Sequence, residues 1–342
     1  MNARLVRFSR PGTRKGYLFV SRRVSALLLA MMLFGSSGCE TFSRKQAEAV
    51  YGPSEGILET VSVLRRHVPD DTYRFPPASD FSGRNVYRTS LLRLENLERA
   101  EANALRSGYM DAVLLFAKAR ALERLRGFDL AAQHYRESAR LSSELRPNAL
   151  ESAAYCERIQ QALSIGIDLV DPIADGGVAP LPLDPESIRI DLDERIARLS
   201  LVETELDNGH YRYLAQEEIE RADITRAQYF VALRFVLADG ALVALQELQR
   251  VATRHGASKN RLGHLLRLAD FYAQLSAEYV AAVPPESLGF DPARFAELAD
   301  AAIQLFELVA SHDGRTEKIQ ATRKLEAFLA LTLSIDADRF DR

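Results

Sequence analysis

Residues whose types could support chemistry are spread thinly along this chain of 342 residues. The six histidines do not cluster in the sequence. No nucleophile elbow, phosphate-binding loop, dinucleotide-binding glycine set or zinc-protease helix motif occurs. Asp168, Asp171 and Asp175 could surround a cation, but they lack the alternating oxygen ligands and closing Glu of a calcium loop. We therefore interpret these three residues as part of a solvated acidic linker.

The other ionisable residues also have non-catalytic interpretations. Glu217, Glu218 and Glu220 are typical of an exposed helix face, because paired catalytic carboxylates need unequal environments. His264 lies on the polar side of an amphipathic segment, so we expect it to be solvated. His255 lies near a helix C-terminus, where a partly charged imidazole is favourable. The sequence thus predicts no catalytic, cofactor-binding or metal-binding residues.

Cys39 has the most specific chemical context in the chain. The apolar run Val24 to Phe34 precedes it, with Ser37 and Gly38 directly before the cysteine. Seven Lys and Arg and no acidic residue lie upstream. A basic region, a short apolar core and small residues before a cut site form an export signal. This core is too short for a permanent membrane span, which takes about 20 residues.

In this context Cys39 resembles the acylated cysteine of bacterial lipoproteins. The resemblance implies that the thiol is diacylated, that residues 1–38 are removed and that the new N-terminus is acylated, for example with palmitate. Ser36 departs from the Leu or Val usual in that family, so a cut by an ordinary signal peptidase is the alternative. Several acyl chains would anchor the chain stably to a membrane of the cell envelope, facing the periplasm. Glu40 favours the outer over the inner membrane.

Composition limits the classes of partner. Removal of residues 1–38 would leave 37 basic and 47 acidic residues, a net charge of −10. Such a surface disfavours nucleic acid. Hydrophobic residues make up 47% of the chain, which allows one or two cores and excludes general disorder. If Cys39 is acylated, Cys156 has no disulfide partner, and we expect it to be buried and inert.

The elements that position these residues are predicted to be helices, because apolar residues recur with helical period. Short turns between long helices favour antiparallel neighbours. The predicted fold class is therefore all-α, with stacked antiparallel hairpins. The predicted segments are a signal peptide at 1–38; a lipid anchor, tether, first helix and irregular loop at 39–89; helical hairpins at 90–165; a Gly, Pro and Asp-rich linker at 166–192; and a helical array at 193–342. The helices predicted in that array are 193–207, 211–222, 224–238, 241–255, 259–283, 292–311 and 316–333, and 224–238 is expected to be interior because it is apolar almost all round.

One hairpin, Leu115 to Ser143, resembles a tetratricopeptide repeat. Small residues in that motif let two helices approach closely, and a large residue fills the space beside them. The matching residues are Ala119 and Leu122 on the first helix and Ala131, Tyr135 and Ser138 on the second, with a partial repeat at Ala302, Phe306 and Val309. The match is degenerate, since no Trp opens a repeat. It implies an α-solenoid, and a plain helical bundle is the alternative.

An irregular stretch, residues 68–88, combines prolines with aromatic and basic residues. Tyr and Arg are favoured anchors of protein interfaces, and long irregular stretches are unusual in a helical chain. The candidate partner-binding residues are Tyr73, Arg74, Phe75, Phe81, Arg84 and Tyr87. The alternative is that the aromatic side chains pin this stretch to its own helices.

Three functions remain open at this point. The first is a non-enzymatic envelope lipoprotein that holds an envelope protein or peptide in a helical-repeat groove, as a scaffold or adaptor. The second is a ligand-handling accessory lipoprotein of a periplasmic uptake system, which a closed apolar pocket among the tyrosines of 259–283 would support. The third is an envelope enzyme, whose signature would be a buried acid with a shifted pKa in a cleft. We expect the first, without a cofactor.

Overall fold

Helices make up nearly all of the described chain, so the predicted all-α class is confirmed. The computed structural model describes residues 53–73, 86–105, 110–169, 184–204 and 209–340, and contains no strand within them. The helices are α1 (Pro53–Tyr73), α2 (Val86–Ala100), α3 (Ala102–Leu105), α4 (Asp111–Arg124), α5 (Phe128–Leu141), α6 (Arg146–Leu163), α7 (Pro185–Thr204), α8 (His210–Leu233), α9 (Gly240–Arg254), α10 (Arg261–Ala282), α11 (Pro292–Ala310) and α12 (Thr316–Phe340).

From α4 onwards each helix packs on the next one in the chain, giving consecutive antiparallel pairs. The helix α1 also contacts α4 and α8, so the N-terminal part of the described chain packs against its middle. At the start of α11 the Asp291 side chain accepts hydrogen bonds from the backbone N–H groups of Ala293 and Arg294, and Pro292 takes the first helical position. None of the described helices is both long enough and apolar enough to cross a bilayer.

The small side chains expected at helix crossings are buried. Ala131 and Ala302 are fully buried, as are Tyr135 and Ser138. The Ser138 hydroxyl donates to the Ala112 carbonyl at 2.7 Å, which ties α5 to α4. The ring of Tyr135 stands edge-on to that of Phe116, with 4.9 Å between their centroids. The space beside the small residues is thus filled by an aromatic side chain.

Several predicted helix boundaries are wrong. The linker was predicted to run to 192, but α7 begins at Pro185 because Ile188 and Leu192 enter the core. The predicted break at 223 is absent, since α8 runs unbroken through Asp223. Conversely α8 ends at Leu233, earlier than predicted. Val236, expected to be interior, is 69% exposed in the turn that follows.

The stretch 68–88 is partly helical rather than irregular. The helix α1 continues to Tyr73, and α2 begins at Val86. Arg74, Phe75, Phe81 and Arg84, which we predicted as partner-binding residues, lie outside the described residues, and so do Cys39 and the predicted signal peptide.

Candidate functional site

Glu123, in the last turn of α4, is enclosed on all sides, with a side-chain exposure of 0%. Its Oε1 accepts hydrogen bonds from Nη1 of Arg120 at 2.7 Å and from Nε2 of His210 at 2.6 Å. Its Oε2 accepts from the hydroxyl groups of Tyr135 and Tyr211, both at 2.9 Å. Four donors therefore converge on one carboxylate, in an arrangement that we call the Glu123 cluster.

Four helices supply this cluster, because α4 carries the acid and α5, α6 and α8 carry its neighbours. Arg120 lies one turn before Glu123, so the two side chains share a helix face. The Arg120 guanidinium also lies 5.6 Å from the ring centroid of Phe116 and 5.9 Å from that of Tyr211. Cys156 on α6 places its Sγ 3.9 Å from Oε2. The cation is thus held between aromatic faces and a carboxylate.

The electrostatics of the cluster keep Glu123 ionised. Burial alone would raise the pKa of Glu123, but the nearby charges and hydrogen bonds of Arg120 and His210 outweigh it and lower the pKa to about 2. Burial, together with the charge of Glu123, raises the pKa of both Tyr135 and Tyr211 well above its usual value. Burial likewise raises the pKa of the Cys156 thiol. The thiol therefore stays protonated and unreactive.

A second set of buried acids lies along α8. Both oxygens of Glu218 accept from the Arg126 guanidinium, each at 2.9 Å. Arg126 also donates to Asp168 at 2.7 Å, joining the α4–α5 turn to the segment after α6. The backbone of Arg126 has φ of 65°, a left-handed conformation that non-glycine residues seldom adopt. Neighbouring Glu217 pairs with Arg124 at 2.9 Å and with Lys259 of the α9–α10 turn.

Further along α8 the acids pair with histidines. Glu220 accepts from Nε2 of His264 and from the Ser258 hydroxyl. Asp223 accepts from Nε2 of His255 at 2.8 Å and from Arg250 at 2.7 Å. Burial would raise the pKa of each acid, but hydrogen bonds from these histidines, with other neighbouring groups, lower it. The acids on α8 therefore form a row of hydrogen-bond acceptors between helices, and the lowered pKa keeps Glu220 and Asp223 ionised.

These contacts overturn several predictions. Glu218 is only 4% exposed, and Glu220 is also buried, so they do not form an exposed face. His264, predicted to be solvated, is 3% exposed. Asp168 is engaged in an ion pair rather than free in a solvated linker, whereas Asp171 and Asp175 lie outside the described residues. The reason is that α8 is covered by its neighbours, so its acids face their basic side chains.

Tyr87 does not lie on the surface as a partner contact would require. It is 1% exposed, and the Arg124 guanidinium lies 5.7 Å from its ring centroid. Its ring packs within the first helices, which agrees with the alternative interpretation of residues 68–88. Tyr73 is the last residue of α1.

Glu123 was not among the residues predicted from the sequence. The available signal was a charged pair, Arg120 and Glu123, in the mostly apolar run 112–125, whose other charged residues are Lys118 and Arg124. Chemically the cluster differs from an acid–base site, because a catalytic acid needs a pKa near the working pH and a free proton path. Glu123 has a pKa shifted the other way, and both of its oxygens already accept hydrogen bonds.

Among the described residues, no group of three or more His, Cys, Asp or Glu side chains is placed to hold a metal ion. The geometry supports tight ties between helices instead. Comparisons with models of protein families, with curated proteins and with solved structures each gave no match to this chain.

Proposed function

We propose that this chain is a lipid-anchored protein of the bacterial cell envelope that acts without catalysis and holds a partner protein or peptide on its helical array. The anchor is acylated Cys39. The helical array supplies a rigid surface that faces the periplasm. The outer membrane is favoured over the inner membrane as the site of the lipid anchor. No cofactor takes part.

The observation that carries this proposal is the use made of the buried ionisable groups. Glu123 joins α4 to α5 and α8 through three donors, Tyr135, His210 and Tyr211. Glu218 joins α8 to the α4–α5 turn through Arg126. Each of these acids is saturated with donors from neighbouring elements. Buried ion pairs and hydrogen bonds of this kind fix helices relative to one another, which suits a preorganised binding surface. They do not suit proton transfer, which needs an acid or base of intermediate pKa.

Within the described part of the chain, no specific contact favours the uptake-system alternative. The tyrosines of α10 that would line an apolar pocket are engaged with neighbours. The Tyr272 hydroxyl accepts from Gln249 at 2.7 Å, and the Tyr279 hydroxyl accepts from the backbone N–H of Asp291 at 2.7 Å. The Tyr279 ring also lies against Phe290, with centroids 5.5 Å apart. These contacts join α10 to α9 and to the segment before α11.

Co-purification tests the binding function. The full-length protein, expressed with its own N-terminus and extracted in mild detergent, is purified through a C-terminal tag after brief reversible crosslinking of whole envelopes. We expect a discrete envelope protein at a constant ratio to the bait. Purification of the bait alone, under conditions that preserve known envelope complexes, would contradict the proposal.

The anchor is tested separately by intact mass. Detergent-extracted protein is expected to begin at Cys39 and to carry the mass of several acyl chains. A Cys39→Ala variant should lose that added mass and leave the membrane fraction. A mature protein with an unmodified thiol at Cys39 would end the lipoprotein interpretation.

A further inference from the structure

Two turns lie at the same end of the array, and both expose large apolar side chains. Since α8 and α10 both run antiparallel to the intervening α9, the turns that follow them share one end. The Arg234 guanidinium, just after α8, donates to Glu278 near the end of α10 at 2.7 Å. We call the two turns, residues 234–239 and 283–291, the apolar edge.

The apolar side chains at this edge are highly exposed, and one of them is an aromatic ring. Phe235 is 74% exposed, and Leu288 at the tip of the other turn is 108% exposed. The guanidinium of Arg234 lies 4.0 Å from the centroid of the Phe235 ring. The Arg234 guanidinium, which is held by Glu278, therefore lies against the Phe235 ring and favours one fixed orientation of that exposed ring. Val236 adds a third exposed apolar side chain.

The turns at the other end of the same helices are polar. Residues 255–260, between α9 and α10, read His-Gly-Ala-Ser-Lys-Asn, and residues 311–315, between α11 and α12, read Ser-His-Asp-Gly-Arg. These turns contain no large hydrophobic residue. Exposed apolar residues that are scattered singly are normal, whereas their collection at one place marks a site of interaction.

The charge at the apolar edge indicates which kind of molecule binds there. The side chains of Asp239 and Glu286 are exposed and make no hydrogen bond or ion pair in the described part of the chain. The basic residues nearby are offset by acids, since Arg234 pairs with Glu278 and the carboxylate of Asp291 lies in the same helical turn as Arg294. The uncompensated charge is negative. It repels anionic lipid headgroups and a second copy of the same edge, and it attracts a basic partner.

We propose that the apolar edge docks a basic amphipathic segment of a partner protein, with apolar side chains against Phe235, Val236 and Leu288 and with Lys or Arg opposite Asp239 and Glu286. This inference rests on the proposed function and specifies the surface and the partner chemistry.

Two synthetic helical peptides of about 18 residues serve as probes. They share the same Leu and Phe positions, and their polar faces carry either Lys or Glu. Binding to the full-length protein in neutral detergent is followed by fluorescence anisotropy. We expect the Lys peptide to bind at least about tenfold more tightly at low salt, and the difference to shrink as salt screens the charges. Equal binding of the two peptides would overturn the charge argument.

Variants locate the site. The double change Val236→Ser and Leu288→Ser should weaken binding of the Lys peptide at least about tenfold. The matched control is Ile190→Ser with Leu201→Ser, which removes exposed apolar side chains from α7 and should leave binding unchanged. Reversal of charge by Asp239→Lys with Glu286→Lys should make the Glu peptide the tighter ligand. Thermal melting confirms that each variant is folded.

Other occupants give distinct results. Binding to vesicles of anionic lipid, lost in the Val236→Ser, Leu288→Ser variant, would overturn the proposal in favour of a lipid surface. A concentration-dependent dimer in sedimentation, lost in the same variant, would overturn it in favour of a second copy. A failure of the apolar-edge proposal can be told apart from a failure of the proposed partner-binding function. If that variant still co-purifies its envelope partner, the edge is wrong and the function stands, whereas no partner with the parent protein ends both.

Discussion

At the scale of single residues, one buried carboxylate, Glu123, holds four hydrogen-bond donors from three helices. Removing a carboxylate from water costs several kcal/mol, which must be offset by charges and hydrogen bonds in the fold. Here Arg120 and His210 supply positive charge, and two tyrosine hydroxyls complete the shell. The consequence is that each partner depends on the others, since loss of the acid removes an acceptor that all four donors share.

The first prediction concerns the loss of this charge. Glu123→Gln should lower the free energy of unfolding at neutral pH by roughly 3–5 kcal/mol, because it leaves the partly buried Arg120 without its counter-charge. Urea denaturation followed by circular dichroism measures the change. Glu151→Gln on the exposed side of α6 is the matched control and should change stability by less than about 0.5 kcal/mol. Equal stabilities of the two variants would contradict the role assigned to Glu123.

The second prediction concerns acid. The folded-state pKa of Glu123 is about 2, against an ordinary value of 4.5. Because the folded pKa is the lower one, the stabilisation is fully present above the ordinary value and is lost as pH falls towards the folded pKa. Its size is roughly 3 kcal/mol, at about 1.4 kcal/mol per pKa unit. Denaturation between about pH 6 and pH 3 should show a shallower pH dependence in Glu123→Gln than in the parent. Parallel curves would contradict the depressed pKa.

For single residues, the sequence predicted burial correctly where only the size of the side chain mattered. Ala131 and Tyr135 were expected to lie buried where helices cross, and both are buried. The partners of Glu123 and Glu218 were not predictable, because periodicity assigns a residue to a helix face but does not say which neighbour covers that face. His264 shows the same limit: its helix has one polar side, and that side meets Glu220 rather than water.

At the scale of elements, the turn between α8 and α9 is set by a close approach of backbones. A Cβ atom added to Gly240 would lie 2.3 Å from the carbonyl oxygen of Arg234. Real Cβ atoms do not approach backbone so closely, so this turn requires glycine. Asp239, directly before it, has φ of 53°. The Asp-Gly pair was identified from the sequence as a helix break, but the close approach that explains the glycine is visible only in the fold.

The third prediction tests this turn with two glycines. Gly240→Ala should destabilise the protein by about 1–3 kcal/mol, since the backbone of the turn must shift to admit the methyl group. Gly263→Ala is the control, because nothing lies within 4 Å of its added Cβ in the first turn of α10. That change should be neutral or stabilise by up to about 1 kcal/mol. Thermal melting of both variants measures the difference, and a melting temperature of Gly240→Ala at or above that of Gly263→Ala would contradict the prediction.

The fourth prediction tests the helix crossings. Ala131→Leu and Ala302→Leu should each cost about 1–3 kcal/mol through overpacking, because both positions are fully buried. Ala197→Leu, at an exposed position of α7, is the control for adding the same side chain. If the two buried variants melt like the control, close approach of the helices at these alanines is not required by the fold.

Element boundaries were predictable where the chain carries strong stop signals and not elsewhere. Helix ends near Asp313-Gly314 and Pro284-Pro285 match the structure closely. The start of α7 at Pro185 was missed because the segment before it is rich in Gly, Pro and Asp, and its core residues appear only after the helix has begun. The continuity of α8 was missed because Asp223 pairs with neighbouring helices instead of capping one.

At the scale of the whole unit Gly52–Arg342, the buried ionised groups and the exposed apolar side chains of the described residues lie in different places. Ionised side chains join helices in the interior, while Phe235, Val236 and Leu288 expose apolar surface at the apolar edge. The helical class followed from periodicity alone. The position of this edge did not, because it depends on which turns the alternating helix directions bring to one end. Together these features fit the proposed binding framework, with the apolar edge as its docking surface.

Site-specific photocrosslinking in intact envelopes shows whether the anchored array holds a partner protein at its apolar edge. A photoreactive residue is placed in the full-length chain at Val236 or Leu288 on the apolar edge, and at Ile190 or Leu201 on α7 for comparison. We expect a discrete crosslinked protein at the two edge positions and none at the α7 positions. Adducts with lipid alone, or no protein adduct at any of the four positions, would contradict it.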